Sequence, residues 1–241
     1  MLGIIAAMSE ELAAIIDVIG ADDVVELGGR RYYRGRYRGE PVIAVVSRIG
    51  KVAAATTTAI LLERFQPRGV VMTGLAGAVD PRLAGGDIVI ADRVVHHDLD
   101  ARPLFARHEI PLLGVTELIA DPVLADRLAR AAEQFAAPPQ LAPLGITRPA
   151  VWRGLVASGD QFFSSSEMTT ALRDRLPAVL AVEMEGAAVA QVCHEHGVPF
   201  AIARVISDSA DHTAAVDFAR FLRDACGPYA HALIQGVLAA A

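Results

Sequence analysis

Short runs that are apolar at every position alternate with helix-patterned stretches along this chain, and that alternation limits its fold more than any other feature. Leu2–Ala7 is predicted as a strand, followed by an amphipathic run from Ser9 to Ile19. Pro41–Ser47 is a second strand, and Ile49-Gly50-Lys51 turns into an Ala- and Thr-rich helix, Val52–Phe65. Gly69–Thr73 leads into the glycine-bearing TGLAGA (73–78), and Asp87–Val95 is a fourth strand. Leu155–Ser158, Val179–Val182 and Phe200–Ser207 are further strands. Helices are predicted over Asp121–Phe135 and Glu185–His196, the latter closed by Gly197 as its C′ residue, with 137–149 as a proline-rich surface loop. Strands without polar alternation are covered on both faces, so the fold class is α/β, read as one domain over residues 1–241.

Composition supports this. Hydrophobic residues make up 53% of the 241, ample for a core, and aromatics only 5%, so Ala, Val, Leu and Ile must fill it. A net charge of −6 argues against nucleic acid as a partner, since phosphates demand clustered Lys and Arg. The exception, Arg30, Arg31, Arg34, Arg36 and Arg38 interleaved with Tyr32, Tyr33 and Tyr37, reads as an exposed hairpin rather than an RNA-contacting patch. Two cysteines make no disulfide framework, the N-terminus lacks a basic n-region, and no apolar run is long enough to span a bilayer. The expectation is a cytoplasmic protein with no membrane partner.

Ligands of parallel sheets bind beyond the carboxyl ends of the strands, so polar residues there are the ones to interrogate. Four segments qualify: Met8 to Glu11, TGLAGA, Glu183-Met184-Glu185 and Ser207-Asp208. The third is the most demanding. Two carboxylates inside LAVEMEGAAVAQ (180–191) cost several kcal/mol each to desolvate unless they are bonded, neutralised or employed. Plainer structural readings exist for each segment. Ser9 can cap the first helix, Glu10 and Glu11 suit its dipole, Ser207-Asp208 has the form of a helix N-cap pair, and Glu183-Met184-Glu185 that of an acidic helix start.

In order and spacing these segments resemble the 5′-methylthioadenosine/S-adenosylhomocysteine nucleosidases of the nucleoside phosphorylase superfamily. The motifs are GIIAAMSEE (3–11), SRIGKVAAA (47–55), MTGLAGAVDPRLAGGDIVIAD (72–92), SGDQFF (158–163), VEMEGAAVAQVC (182–193) and RVISDSAD (204–211). The resemblance covers most of the chain and is weakest over 101–150. It implies a three-layer fold, a central twisted mixed β-sheet flanked by helices, no metal or organic cofactor, and a homodimer. It also implies hydrolysis of the N9–C1′ bond of an adenine nucleoside carrying a 5′-thioether.

That chemistry leaves positive charge on the ribose and negative charge on the departing purine, so one group must donate a proton, another hold the sugar, and a third direct water to C1′. By the resemblance Asp208 is the acid at adenine N7, oriented by Ser207, and its protonation at neutral pH requires a raised pKa. Glu11 is the base that aligns the water, with Glu10 as the alternative. Glu185 accepts the ribose 2′ and 3′ hydroxyls and favours the cationic sugar, while Met184 packs beneath the ring. Glu183 is expected chiefly to serve a structural partner, Arg204. Phe162 stacks on the adenine, the Phe163 backbone reads the purine edge, Phe218 lies near the nucleoside, and Met8 near the 5′-thioether. Core packing is the competing reading for these apolar side chains.

Departures are informative too. Leu75 stands where the family's TGSAGG-like loop has serine, and Ala78 replaces its last glycine, leaving Ala76 and Gly77 as backbone lining. The positions where superfamily phosphorylases carry an anion-binding Arg and Ser or Thr correspond to Met72 and Leu75, neither suited to phosphate. The polar stretch His96-His97-Asp98 through His108 is a poor chelate and is expected as a loop. In it Leu104 and Phe105 are the candidates to reach a partner subunit's 5′ pocket.

Overall fold

In the computed structural model, which describes residues 1–239, the first strand β1 (Leu2–Ala6) runs into α1 (Ser9–Ile19). Three antiparallel strands follow, β2 (Asp23–Leu27), β3 (Arg30–Tyr37) and β4 (Glu40–Val46), then α2 (Lys51–Phe65). Next come β5 (Val70–Ala78), β6 (Ile88–His96), the short β7 (Glu117–Ile119) and α3 (Pro122–Glu133). The second half holds β8 (Val151–Ser158), α4 (Ser166–Arg175), β9 (Val179–Glu183), α5 (Gly186–Glu195), β10 (Phe200–Asp208), α6 (Ala214–Asp224) and α7 (Cys226–Ala239).

The ten strands form one mixed sheet, β10-β6-β8-β9-β5-β1-β4-β3-β2, with β7 on β6 and a further β10–β5 pairing. That last contact closes β5, β10, β6, β8 and β9 into a ring, while β1, β4, β3 and β2 extend from β5 as an open wing. β5 makes this possible by changing neighbours along its length. Its first half pairs with β1 from Val70 to Thr73, and its end pairs with β9 at Gly77 and Ala78, while β10 runs along the other side.

Period-two alternation divides the strand side chains between two cores. Ile4, Val71 and Ala203 face α1, α3 and α7 through Ile15, Leu128 and Leu233; Ile5, Met72 and Ile202 face α2 and α5 through Leu61, Phe65 and Val189. Each fully buried Ile or Leu stabilises the fold by about 1.5–3 kcal/mol, so it is the covering of both sheet faces that chiefly holds the fold together.

Most predicted elements are found within one or two residues. Four expectations are corrected. TGLAGA is not a loop but the second half of β5, held extended by strands on both sides. Ser9 is not the cap of α1: Met8 holds that position, Ser9 bonds Glu10, and the Glu11 carboxylate bonds the free backbone N–H of Met8. The tyrosine–arginine stretch is a hairpin strand as expected, antiparallel to both β2 and β4, but it is not exposed throughout. Its Tyr32 is buried, donating to the Thr57 carbonyl at 3.2 Å with its ring 5.0 Å from Phe65. The proline-rich 137–149 segment contains a 3₁₀ turn, Pro139–Leu144, whose Leu141 is buried in the core. No helix among the described residues is long and apolar enough to cross a membrane.

Candidate active site

The carboxyl ends of the parallel strands β1, β5 and β10 open together onto a cavity of about 120 Å³. Glu11 reaches it from the first turn after β1, Leu75, Ala76 and Gly77 from β5, Glu183, Met184 and Glu185 from the β9–α5 junction, and Ser207 and Asp208 from β10. Met8, Phe162, Phe163 and Phe218 complete the wall. Leu104 and Phe105 apart, every residue assigned a site role from sequence lines one cavity, although the candidate acids are 174 and 23 positions apart along the chain (185 − 11 and 208 − 185). Ala7, Ile49, Gln161 and Val182 also line it. Each lies inside one of the quoted motifs, but its residue type carries no chemistry that would single it out.

Glu11 is 2% exposed. Its Oε2 accepts the backbone N–H groups of Ala7 at 3.0 Å and Met8 at 3.1 Å, while Oε1 has no protein partner. Burial raises its pKa to about 7 against the opposing pull of Arg204 and those two amides. Glu10 is exposed and does not line the cavity, whereas Glu11 is buried and does.

Glu185 is 4% exposed and held from two sides. Gly50 N–H donates to Oε1 at 3.0 Å and Arg204 Nη2 lies 3.4 Å from Oε2. Burial, then the neighbouring Glu183, push its pKa up to about 7, with Arg204 opposing. Glu183, by contrast, is fully occupied. It accepts from the N–H of Glu185 at 3.0 Å and of Gly186 at 2.8 Å, from Ser158 Oγ and from the Arg204 guanidinium. The expected pairing with Arg204 is present, and no oxygen of Glu183 is left free for a ligand.

The sequence marks Arg204 only as that partner, yet it organises the site. It is wholly buried in β10, its Nη2 directed at Glu183, Glu185 and the Met72 sulfur. Burial works against its charge, but Glu183, Glu185 and Glu11 outweigh that and hold its pKa above the ordinary value. The signal available for this larger role is an arginine at the centre of an otherwise apolar strand, FAIARVIS.

Asp208 ends β10, seven per cent exposed. Ser207 Oγ donates to its Oδ2 at 2.6 Å and Ala210 N–H to its Oδ1 at 2.9 Å. Burial raises its pKa, and the charges of Asp217 and Asp211 add to this, against the two hydrogen bonds. The helix N-cap reading of Ser207-Asp208 is excluded, since α6 begins only at Ala214. Across the cavity Phe162 and Phe218 meet edge to face, their ring centres 5.9 Å apart, and Phe163 is buried against the edge of the His97 ring at 5.2 Å.

Leu104 and Phe105 do not reach the cavity of their own chain, and Leu104 is 82% exposed. His96, His97 and His108 are buried where β6 ends. Among the described residues no three His, Cys, Asp or Glu side chains are grouped as a metal site would require.

Residues 1–239 match the model of the phosphorylase superfamily. The 5′-methylthioadenosine/S-adenosylhomocysteine nucleosidase of Anoxybacillus flavithermus is 40% identical over 225 residues, 93% of this chain and 92% of that one. The chain belongs to this nucleosidase family. The Staphylococcus saprophyticus nucleosidase is 36% identical over 226 residues, 93% of both chains. Among solved structures, the Neisseria meningitidis nucleosidase in complex with methylthio-immucillin-A superposes with a TM-score of 0.90 at 34% identity, covering 100% of this chain and 99% of that one. The futalosine hydrolase of Helicobacter pylori superposes at 0.85 with 32% identity, over 98% of this chain and 96% of that one. The nucleoside phosphorylase-like α/β fold expected from the motifs is therefore the fold of the family.

Proposed function

We propose that this protein hydrolyses the N9–C1′ bond of 5′-thio-substituted adenine nucleosides, methylthioadenosine and S-adenosylhomocysteine, releasing adenine. The observation that carries the reading is the convergence of Glu11, Glu185 and Asp208, each less than a tenth exposed, on one cavity. In the reaction, protonated Asp208 donates to adenine N7 as the C1′–N9 bond lengthens, so the purine leaves neutral. Glu185 accepts the ribose hydroxyls and stabilises the cationic sugar, with Met184 beneath the ring. Glu11 takes a proton from the water whose oxygen forms the new bond to C1′. Phe162 stacks on the adenine, the Phe163 backbone reads its edge, and Met8 faces the 5′ sulfur.

Water rather than phosphate is the acceptor. At the two positions that would hold the anion, Met72 is buried with its sulfur against Arg204, and Leu75 presents an aliphatic side chain to the cavity. Arg204 is no substitute, since it is wholly buried and its charge is already balanced by Glu183 and Glu185, which it bonds, and by the nearby charge of Glu11.

Residues 1–241 work as one cytoplasmic domain in this reading, and a homodimer covers apolar side chains that the single chain leaves exposed. Leu104 and Leu112 on the loop after β6, and Ile49 and Val52 at the start of α2, are 82%, 94%, 54% and 78% exposed. Sedimentation at micromolar concentration tests this, a dimer being expected and a monomer contradicting it.

The activity is tested by incubating the protein with methylthioadenosine with and without phosphate and identifying the products. Free adenine and methylthioribose at the same rate in both buffers are expected, and a sugar 1-phosphate would contradict the reading. A kcat/KM panel that adds S-adenosylhomocysteine, adenosine, AMP, inosine and aminodeoxyfutalosine ranks the substrates, the last included because of the likeness to futalosine hydrolase.

A further inference from the structure

Beside the cavity, the loop after β6 is tied to two segments that do line it, around Ile49 and Gln161, through Lys51. Lys51, the first residue of α2, places Nζ on Asp98 Oδ1 at 2.5 Å. Its backbone N–H donates to Asp160 Oδ1 at 2.8 Å, and the Asp160 N–H donates to the other oxygen of Asp98 at 2.9 Å. Asp98 belongs to the loop after β6, and Asp160 immediately precedes the Gln161–Phe163 wall. The residue before Lys51 is Gly50, whose N–H is the backbone donor to Glu185.

This triangle differs from an ordinary surface ion pair. The side chains of Lys51 and Asp98 are only 20% and 24% exposed, and both oxygens of Asp98 are used, one by a charge and one by a backbone amide. Gly50 has φ +94°, and a Cβ there would meet Asp160 Oδ1 at 3.1 Å, so its N–H is aimed at Glu185 by a backbone shape that a side chain would oppose. Glu185 has Arg204 as its other anchor, and Arg204 is shared with Glu183. Gly50 is therefore the anchor that belongs to Glu185 alone, and its chain neighbour Lys51 is held by the triangle.

We propose that Lys51, held by Asp98 and Asp160, is a positioning residue that sets the Glu185 carboxylate for the ribose hydroxyls. The proposal rests on the nucleosidase reading and deepens it by tying sugar recognition to residues outside the cavity lining. It also gives Asp98, in the polar stretch that forms no metal site, a defined task.

Steady-state kinetics on methylthioadenosine and its 2′-deoxy counterpart test this, because Glu185 can discriminate between them only if it is correctly placed. Lys51→Met is expected to lose roughly tenfold to a hundredfold in kcat/KM on the ribonucleoside, the range for a misplaced hydrogen bond to a charged group. On the deoxynucleoside the change stays within about threefold, so the preference for the ribose collapses. Asp98→Asn, which keeps the shape of the carboxylate, should do the same, and Lys51→Arg should restore most of the preference. The double variant should be no worse than either single one if the two residues act as a unit. Wild-type kinetics in a folded Lys51→Met or Asp98→Asn variant, or equal losses on both nucleosides, would overturn the proposal while leaving the nucleosidase reading intact. A wild-type protein inactive on both nucleosides would instead overturn that reading.

Discussion

Arg204 fits inside the sheet because residue 74, on the neighbouring strand, has no Cβ: one added to Gly74 would collide with the guanidinium Nη1 and come within 3.2 Å of Glu11 Oε1. The two residues are paired in register on β5 and β10. One buried cation there faces Glu183, Glu185 and Glu11, so the first glycine of TGLAGA is a condition for charge balance in the site.

Gly74→Ala should therefore displace Arg204 and with it the acids. Overpacking of this kind costs about 1–3 kcal/mol, which in a chain of this size lowers Tm by roughly 2–4 °C per kcal/mol. Activity should fall further than stability, as seen by comparing thermal melts with kcat at a temperature where the variant is folded. Wild-type kcat in Gly74→Ala would contradict this.

Ser207→Ala tests the tuning of the acid. The serine hydroxyl donates to the Asp208 carboxylate and so favours its ionised form, opposing the effect of burial. Its removal raises the pKa of Asp208. Because the protonated form does the work, the alkaline limb of the kcat/KM–pH profile should move to higher pH. A shift to lower pH would show that the limb belongs to another group.

Glu11 makes a prediction about stability as well as catalysis. Its folded pKa of about 7 lies above the ordinary 4.5, so the native state binds more protons than the unfolded chain between those values. The stabilising contribution is full below pH 4.5 and is lost as pH rises through 7. For this one group the loss is on the order of 3 kcal/mol. Wild-type stability should thus decline from about pH 5 to about pH 8, and denaturant titrations of Glu11→Gln should show a shallower decline, together with a kcat reduced about 10²- to 10⁴-fold by loss of the base. An equal slope in both proteins would mean that Glu11 is not protonated on folding.

Much of this architecture was legible because strand, turn and helix signals agreed: the amphipathic period bounds Ser9–Ile19 correctly, and the four segments at strand ends do converge. The failures have physical causes. TGLAGA reads as a loop because glycines are rare in strands, and only the approach of Arg204 and of Asp208 and Ala210 to Gly74 and Gly77 explains them there. β2, DVVEL, is an exposed edge of the wing whose pairing with β3 no local pattern announces. Arg204 and the Lys51 triangle join residues 19 to 132 positions apart, a tertiary fact that motif spacing does not carry.

The most direct test of the central claim separates proton donation from everything else the cavity does. Asp208→Asn should be assayed on methylthioadenosine and on p-nitrophenyl 5-methylthioriboside, whose leaving group departs readily as an anion and needs no acid. The account predicts a loss of about 10²- to 10⁴-fold in kcat on the adenine nucleoside and near wild-type cleavage of the nitrophenyl riboside. Comparable losses on both substrates, or undiminished adenine release, would contradict it.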